Sequence, residues 1–202
     1  MPDPFRPETS ALVLIDHQIG TMQLIKTLDV GQVRRFAVAL AKAAKILNLP
    51  VVLTSSQEER IQGPLIEELA HLLPEAYAAR VRRGGIVNAW DDPNFKAAIE
   101  ATGRRDLIMG GVTTDVCLIY PTISAVEAGY RVQAVLDVSG SPFALSEETS
   151  RKRMEQAGVQ FTATNTIIAE LAQDWSTPHG YQLIQLLFSD VLPPVTPHAA
   201  AA

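Results

Sequence analysis

Short apolar runs alternate with longer segments of helical periodicity along most of this chain. The apolar runs lie at 11–16, 51–54, 106–112, 131–138 and 160–163, with a less clear one at 80–87. Continuous rather than alternating apolarity is typical of strands that are covered on both faces. Between these runs, apolar residues recur at helical spacing, most clearly at 32–49. The alternation predicts an α/β fold: a doubly wound, mostly parallel six-stranded sheet with helices on both faces, Rossmann-like in three layers.

Two of the predicted helices contain a proline that bears on their boundaries. Pro64 lies at the first position of a helix predicted at 64–73, where a missing N–H is tolerated. Pro121 interrupts a helix predicted at 115–127. We therefore expect the first helix to start at its proline and the second to be irregular.

Length and composition exclude several classes of protein. The 202 residues carry a net charge of −5, and 47% are apolar, which suits one globular domain over 1–202. No basic run points to nucleic acid, and no apolar run approaches the roughly 20 residues of a membrane span. The N-terminus has no apolar signal region, and a single cysteine excludes an internal disulfide. We expect a cytoplasmic protein without nucleic-acid or membrane partners.

Polar and reactive side chains follow two strands that are neighbours in the commonest doubly wound order. Asp16 ends the first strand, and Cys117 follows Gly110-Gly111 in the opening turn of the predicted helix. Ligands of such sheets bind beyond the carboxyl ends of the strands, where the strand order reverses. A thiol at a helix start has a lowered pKa, and nearby backbone N–H groups can stabilise an oxyanion.

Each of these two residues also has a structural interpretation. A lone cysteine is usually a small buried hydrophobe. An acid at a strand end is often a cap or turn residue, so Asp16 alone does not establish a catalytic base.

Two segments together resemble the isochorismatase-like cysteine hydrolase family, and the likeness covers most of the chain. The first is Leu12-Val13-Leu14-Ile15-Asp16-His17-Gln18, and the second is Gly110-Gly111-Val112-Thr113-Thr114-Asp115-Val116-Cys117. The stretches 88–91 (NAWD) and 156–159 (QAGV) are similar to the YcaC-type branch. The resemblance implies an isochorismatase-like fold and a catalytic triad.

The implied triad is Asp, Lys and Cys, of which Asp16 and Cys117 match. Arg83 stands in the place of the lysine, which keeps the positive charge but cannot release a proton. The resemblance further implies a cis peptide bond between Val112 and Thr113, which would aim backbone N–H groups at the oxyanion.

We assign the wall of the substrate pocket to four residues near these motifs: Gln18, Asn88, Trp90 and Tyr120. His17 neighbours Asp16 but is expected to point to the opposite face of its strand, in a structural role.

No metal and no cofactor are expected. The segment 54–60, where metal-dependent nicotinamidases carry an Asp-x-His cluster, has no histidine, and the four histidines lack ligand spacing. Neither a GxGxxG nor a Walker motif occurs.

These observations favour a hydrolase that cleaves an amide-like C–N bond of a small molecule through a thioester on Cys117. One alternative is hydrolysis of an isochorismate-type vinyl ether with Asp16 as the acid. Others are a non-catalytic oligomeric binding protein with a decayed site, motivated by Arg83, and, more weakly, a one-cysteine redox sensor.

The resemblance also implies a homo-oligomer, with an octamer as in the YcaC branch. The segment 175–202, a C-terminal helix and tail, carries the apolar residues Leu183, Leu186, Leu187 and Phe188 as a candidate oligomer contact. Packing against the chain's own core is the competing explanation for this apolar stripe.

Overall fold

The computed structural model describes residues 3–195, and its centre is a sheet of six strands flanked by eight α-helices. The strands are β1 (Ser10–Ile15), β2 (Val51–Ser56), β3 (Val81–Arg83), β4 (Asp106–Gly111), β5 (Arg131–Val135) and β6 (Gln160–Thr162). The helices are α1 (Val30–Ile46), α2 (Glu67–Leu72), α3 (Pro74–Ala78), α4 (Pro93–Ala101), α5 (Ile119–Glu127), α6 (Ala144–Gln156), α7 (Thr164–Ala172) and α8 (Pro178–Leu186).

The strand order is β3-β2-β1-β4-β5-β6, and every neighbouring pair is parallel. At the centre, Leu12 of β1 lies opposite Val51 of β2 on one side and Ile108 of β4 on the other. The strands β1 and β4 thus lie at the centre of the sheet, and the later strands of each half lie progressively nearer its two edges. The doubly wound prediction is confirmed, and the carboxyl ends of β1 and β4 form the point where the strand order reverses.

Alternate residues of β1 enter two separate hydrophobic layers. Leu12 and Leu14 pack in the layer that holds α1, α2, α7 and α8. Ala11, Val13 and Ile15 pack in the layer that holds α4, α5 and α6. All five side chains are buried. Burial on both faces explains why this strand is continuously apolar in sequence.

Short polar caps define where several helices begin. The Asp29 carboxylate accepts a hydrogen bond from Gln32 N at 2.7 Å and starts α1. The Asp92 carboxylate accepts one from Asn94 N at 2.8 Å, directly before Pro93 opens α4. Such caps satisfy backbone donors that have no partner within the helix.

The helix predicted at 64–73 begins later than expected. Pro64 and Leu65 belong to a short antiparallel contact with the loop after β1, in which Ile19 N donates to Pro64 O at 3.0 Å. The helix α2 therefore starts only at Glu67, and a proline at a first helical position occurs instead at Pro74 of α3. Tertiary pairing overrides the local preference here.

The helix predicted at 115–127 is divided into two parts. A π-helical turn covers Thr114–Leu118, and the α-helix α5 follows from Ile119. Pro121 lies in the first turn of α5, directly after the π turn. Cys117 consequently lies in a wide π turn rather than in the first turn of an α-helix.

The apolar stripe of the C-terminal region serves mainly the chain's own core. Leu183, Leu186 and Leu187 are buried in the layer with α1 and α7, so core packing explains these three. Phe188 is 46% exposed and remains available for a contact. Residues 196–202 of the predicted tail lie outside the described residues. Across residues 3–195, the structure contains no helix that is both long and apolar enough to span a bilayer.

Candidate active site

Three predicted residues meet in one cavity at the carboxyl ends of the central strands. Asp16 follows β1, Arg83 ends β3, and Cys117 lies in the π turn after β4. All three line a cavity of about 460 Å³. The parallel order of the sheet brings these strand ends to the same edge, which is why residues 101 positions apart in sequence become neighbours.

A buried ion pair joins Asp16 to Arg83. The Arg83 Nη2 group donates to both Asp16 carboxylate oxygens at 2.5 Å. Its Nε donates to Thr54 Oγ1 at 3.0 Å, and its Nη1 donates to Ile86 O at 2.7 Å. Asp16 is 2% exposed and Arg83 is 3% exposed. All three guanidinium nitrogens therefore bond to the protein, and the cation is held in one orientation.

The backbone of Asp16 adopts a left-handed conformation, with φ of +57°. Aspartate tolerates this region better than most residues, and such positions cluster at functional sites. The Asp16 N–H donates to Thr54 O at 2.9 Å, and Gln18 N donates back to Asp16 O at 2.7 Å. This tight turn at the end of β1 fixes the position of the Asp16 backbone, from which the carboxylate extends.

The thiol of Cys117 lines the same cavity as the Asp16 carboxylate, and each of the two groups shifts the pKa of the other. Burial raises the pKa of the Cys117 thiol well above its ordinary value, and the negative charge of Asp16 raises it further. The Arg83 charge opposes this effect but is the smaller influence. This direction is opposite to the one expected at a helix start, because burial and a neighbouring carboxylate oppose ionisation of the thiol.

Burial also raises the pKa of the Asp16 carboxyl, while Arg83 opposes the shift through its charge and its hydrogen bond. A carboxyl with a raised pKa is better suited to take and return a proton near neutral pH than an ordinary aspartate. The site thus combines a neutral thiol with an adjacent acceptor for its proton.

The peptide bond between Val112 and Thr113 is cis. Among the hydrogen bonds of residues 3–195, the Thr113 N–H has no acceptor, while Val112 N donates to Ile15 O and Thr114 N donates to Gly140 O. Thr113 lines the cavity. Its free N–H is therefore a candidate oxyanion donor.

The backbone N–H of Cys117 is already occupied. It donates to Thr113 O at 2.8 Å, within the π turn. We expected N–H groups near both Thr113 and Cys117 to face an oxyanion, and of these two residues the structure leaves the N–H of Thr113 free and that of Cys117 occupied.

The two glycines before the site serve packing rather than substrate access. A Cβ atom on Gly111 would lie 3.2 Å from the backbone of Leu118, and one on Gly110 would lie 2.6 Å from Val138 Cγ2. Neither glycine lines the cavity. Their missing side chains let the π turn and the turn after β5 pack closely against β4.

The structure places Gln18 at the cavity, where its side-chain amide bonds to the neighbouring backbone. Its Nε2 donates to Ser56 O at 2.8 Å and to Gly63 O at 2.5 Å, and its Oε1 accepts from Ser56 N at 2.8 Å. The residue borders the cavity, but its amide is saturated by backbone groups. Gln18 therefore holds the loop after β2 against the loop after β1.

The other three predicted pocket residues do not line the cavity. Asn88 caps a short turn, with its Oδ1 accepting from Trp90 N at 3.1 Å. Trp90 is buried edge-on against Phe95 and Tyr130. The Tyr120 ring lies beneath the Arg153 guanidinium, 5.7 Å from its centre. The structure thus places Asn88, Trp90 and Tyr120 outside this cavity, because local capping and packing use these side chains.

The wall contains five aliphatic residues that the sequence analysis did not find: Leu24, Ile61, Ile86, Val87 and Val116. They come from four separate loops and turns. No periodicity or motif marks isolated apolar residues of this kind.

His17 lies outside the cavity, in agreement with its predicted structural role. It is fully buried, and its Nε2 bonds to Val138 O at 2.8 Å. Burial lowers its pKa to about 4, so the ring is neutral at physiological pH. Within residues 3–195, no cluster of three or more His, Cys, Asp or Glu side chains could hold a metal ion.

Comparison with known proteins identifies close similarities in sequence and in fold. The isochorismatase domain model matches residues 10–166. The chain is 35% identical to the probable hydrolase YcaC of Escherichia coli, over 91% of this chain and 86% of that protein.

Two solved structures match at nearly full length. YcaC from Pseudomonas aeruginosa, solved with hexane-2,5-diol and covalent acrylamide, has a TM-score of 0.89 and 34% identity, covering 95% of this chain and 93% of that one. The Escherichia coli YcaC structure, described as an octameric hydrolase of unknown specificity, has a TM-score of 0.88 and 35% identity with the same coverage.

Proposed function

The chain belongs to the isochorismatase family, among its YcaC-type hydrolases, and on that basis we propose that it hydrolyses an amide-like C–N bond of a small molecule through a thioester on Cys117. The observation that carries the proposal is that the Cys117 thiol lines one cavity with a carboxylate that Arg83 holds in place. A nucleophile beside a proton acceptor that a third group orients is the arrangement that covalent catalysis requires.

The first step transfers a proton and forms a bond. As the Cys117 sulfur attacks the carbonyl carbon, the thiol proton passes to the Asp16 carboxylate. Burial raises the pKa of the thiol, which favours transfer of its proton to Asp16 during the attack rather than before it. Negative charge develops on the carbonyl oxygen, where the free N–H of Thr113 can stabilise it.

The second step breaks the C–N bond. Asp16 returns its proton to the leaving nitrogen, which departs as ammonia or an amine and leaves the acyl group on Cys117. Asp16 then takes a proton from water as the water oxygen attacks the thioester. The acid is released, and the proton returns to the Cys117 sulfur.

Arg83 acts in this scheme as a fixed charge and an orienting group. Its guanidinium cannot lose a proton, so every proton transfer belongs to Asp16. Its bonds to Thr54 and Ile86 hold it independently of the substrate. An arginine in the position of the family lysine is therefore compatible with a working site, which argues against the alternative of a decayed one.

The Pseudomonas aeruginosa relative was solved with covalent acrylamide, so a protein of this branch can carry a small uncharged amide in covalent linkage. The octameric Escherichia coli relative supports a homo-oligomer for this chain. A cytoplasmic location and a small-molecule substrate remain predictions from composition and from the cavity.

The test is ammonia release from small aliphatic amides such as butyramide by the purified protein and by two variants. Cys117→Ala is expected to abolish turnover, and Asp16→Asn to reduce kcat by roughly 10²–10⁴-fold, the usual contribution of a general acid or base. Asp91→Asn, an exposed carboxylate outside the cavity, serves as the matched control. Full activity in Cys117→Ala, or no release from any amide, would contradict the proposal.

A further inference from the structure

The charges in the cavity wall already neutralise each other. Of its 17 lining residues, only Asp16 and Arg83 carry charge. They form the buried ion pair, so among residues 3–195 the wall presents no cation that is free for a ligand. Small-molecule sites usually fix orientation with a few well-placed polar groups, and a bound carboxylate generally needs an arginine or lysine among them.

Arg83 is poorly placed to serve as that cation. To bind a carboxylate with its paired N–H groups, it would have to release the Asp16 oxygens or Ile86 O. Releasing Asp16 would leave a buried carboxylate without its partner, which is a costly state. A ligand carboxylate would also lie in the same cavity as the Asp16 charge, in poorly screened surroundings.

The remaining wall combines aliphatic residues with neutral polar ones. Leu24, Ile61, Ile86, Val87 and Val116 offer apolar surface around the opening, each more than 40% exposed. The polar contribution includes the side-chain amides of Gln57 and Gln62, which bond to each other at 3.1 Å. Such a wall suits an apolar group attached to an uncharged polar one.

Resting on the proposed function, we infer that the cavity admits uncharged small amides with an aliphatic or aromatic group and rejects carboxylates. This assigns a substrate class to the site. It also disfavours the alternative of an isochorismate-type substrate, because such a molecule carries carboxylates that the wall cannot neutralise.

Alkylation of Cys117 tests the inference without requiring turnover. Iodoacetamide and iodoacetate have nearly the same shape and the same reaction: a carbon–sulfur bond forms, iodide leaves, and the thiol proton is released. Cys117 is the only cysteine, so intact-mass spectrometry reports this site alone. The chain unfolded in urea supplies the intrinsic rate ratio of the two reagents.

We expect the ratio of the iodoacetamide rate to the iodoacetate rate to be about tenfold higher, or more, in the folded protein than in the unfolded chain. The reason is that the negative charge of iodoacetate is repelled by the Asp16 carboxylate in a poorly screened site. A folded ratio equal to or below the unfolded ratio would overturn the inference.

A variant that adds a cation to the wall provides the matched comparison. Val87→Lys, at the opening of the cavity, should shift the folded ratio several-fold toward iodoacetate. Leu145→Lys, at an exposed position outside the cavity, should leave it unchanged. If the two variants had the same folded rate ratio, charge in the cavity wall would not cause the selectivity between the reagents, and the inference would be contradicted.

Hydrolysis separates this inference from the proposed function. Pentanamide and succinamate have chains of similar length, but only succinamate carries a carboxylate. Turnover of pentanamide and not of succinamate supports both proposals. Equal turnover of the two overturns the substrate class alone. No turnover of either, with the expected alkylation ratio, overturns the proposed function and leaves the charge selectivity standing.

Discussion

At the residue scale, the chemistry depends on a carboxylate that must exchange a proton while it is paired with a permanent cation. Burial raises the pKa of Asp16, and Arg83 counteracts this with its charge and its hydrogen bond. The balance keeps Asp16 able to accept the thiol proton. The direction in which a replacement of Arg83 changes the pH dependence of catalysis can therefore be predicted.

Arg83→Gln should move the acid limb of the kcat/KM profile to higher pH. Because Arg83 lowers the pKa of Asp16, its removal raises that pKa, and the ionised base is lost at a higher pH as acid is added. Arg83→Lys keeps the charge and should leave the limb close to its original position. The measurement is kcat/KM against pH for the three proteins. An acid limb that stays in place in Arg83→Gln would show that Arg83 does not act on Asp16.

The identities of these residues could be predicted, but their electrostatics could not. Asp16 and Cys117 are visible because each follows an apolar strand, and the family motif adds Arg83. The direction of the thiol pKa shift depends on burial and on the carboxylate across the cavity, neither of which is local in sequence.

At the scale of elements, the site depends on how the loop after β2 is attached to the loop after β1. The Gln18 side chain makes three of the bonds between them, and Ile19 and Gly20 add backbone bonds to Pro64 O and Gln62 O. This attachment brings Ile61 and Gln62 to the cavity wall. Helical periodicity at 64–73 could not reveal it, because the partner lies more than 40 residues earlier.

Gln18→Leu should destabilise the protein by roughly 2–4 kcal/mol, since it leaves several buried backbone groups without partners. Gln23→Leu is the matched control: this glutamine also lines the cavity, but its one side-chain bond, to Ile19 O, is exposed, so we expect a change of less than about 0.5 kcal/mol. The midpoint of urea unfolding measures both. Equal stability of the two variants would contradict a structural role for Gln18.

At the scale of the whole molecule, the fold is the part that the sequence predicts best. Strands covered on both faces must be apolar throughout, and the helices between them must show a 3.6-residue period, so the pattern largely determines a doubly wound sheet. The cavity wall is less predictable. Its aliphatic residues come from loops in which no repeating constraint acts, whereas Trp90 and Tyr120 are conspicuous in sequence but are used in packing.

The assembly of the protein is a separate prediction at this scale. Light scattering coupled to size exclusion should give a mass several times that of the 21.9 kDa chain, and eightfold if the octamer of the Escherichia coli relative is retained. Phe188→Ser should weaken the assembly if the exposed Phe188 contributes to a contact. A clean monomer would contradict the homo-oligomer, and an unchanged assembly in the variant would exclude Phe188 from it.

The most direct test of the central claim is a search for the acyl intermediate on Cys117. A reaction with pentanamide, quenched in acid within the first turnovers, is analysed by intact-mass and peptide mass spectrometry. The predicted result is a mass increase equal to the pentanoyl group less one hydrogen, located on the peptide that contains Cys117 and absent from Cys117→Ala. Turnover of the amide by Cys117→Ala at the original rate, with no adduct in the unmodified protein, would contradict the account.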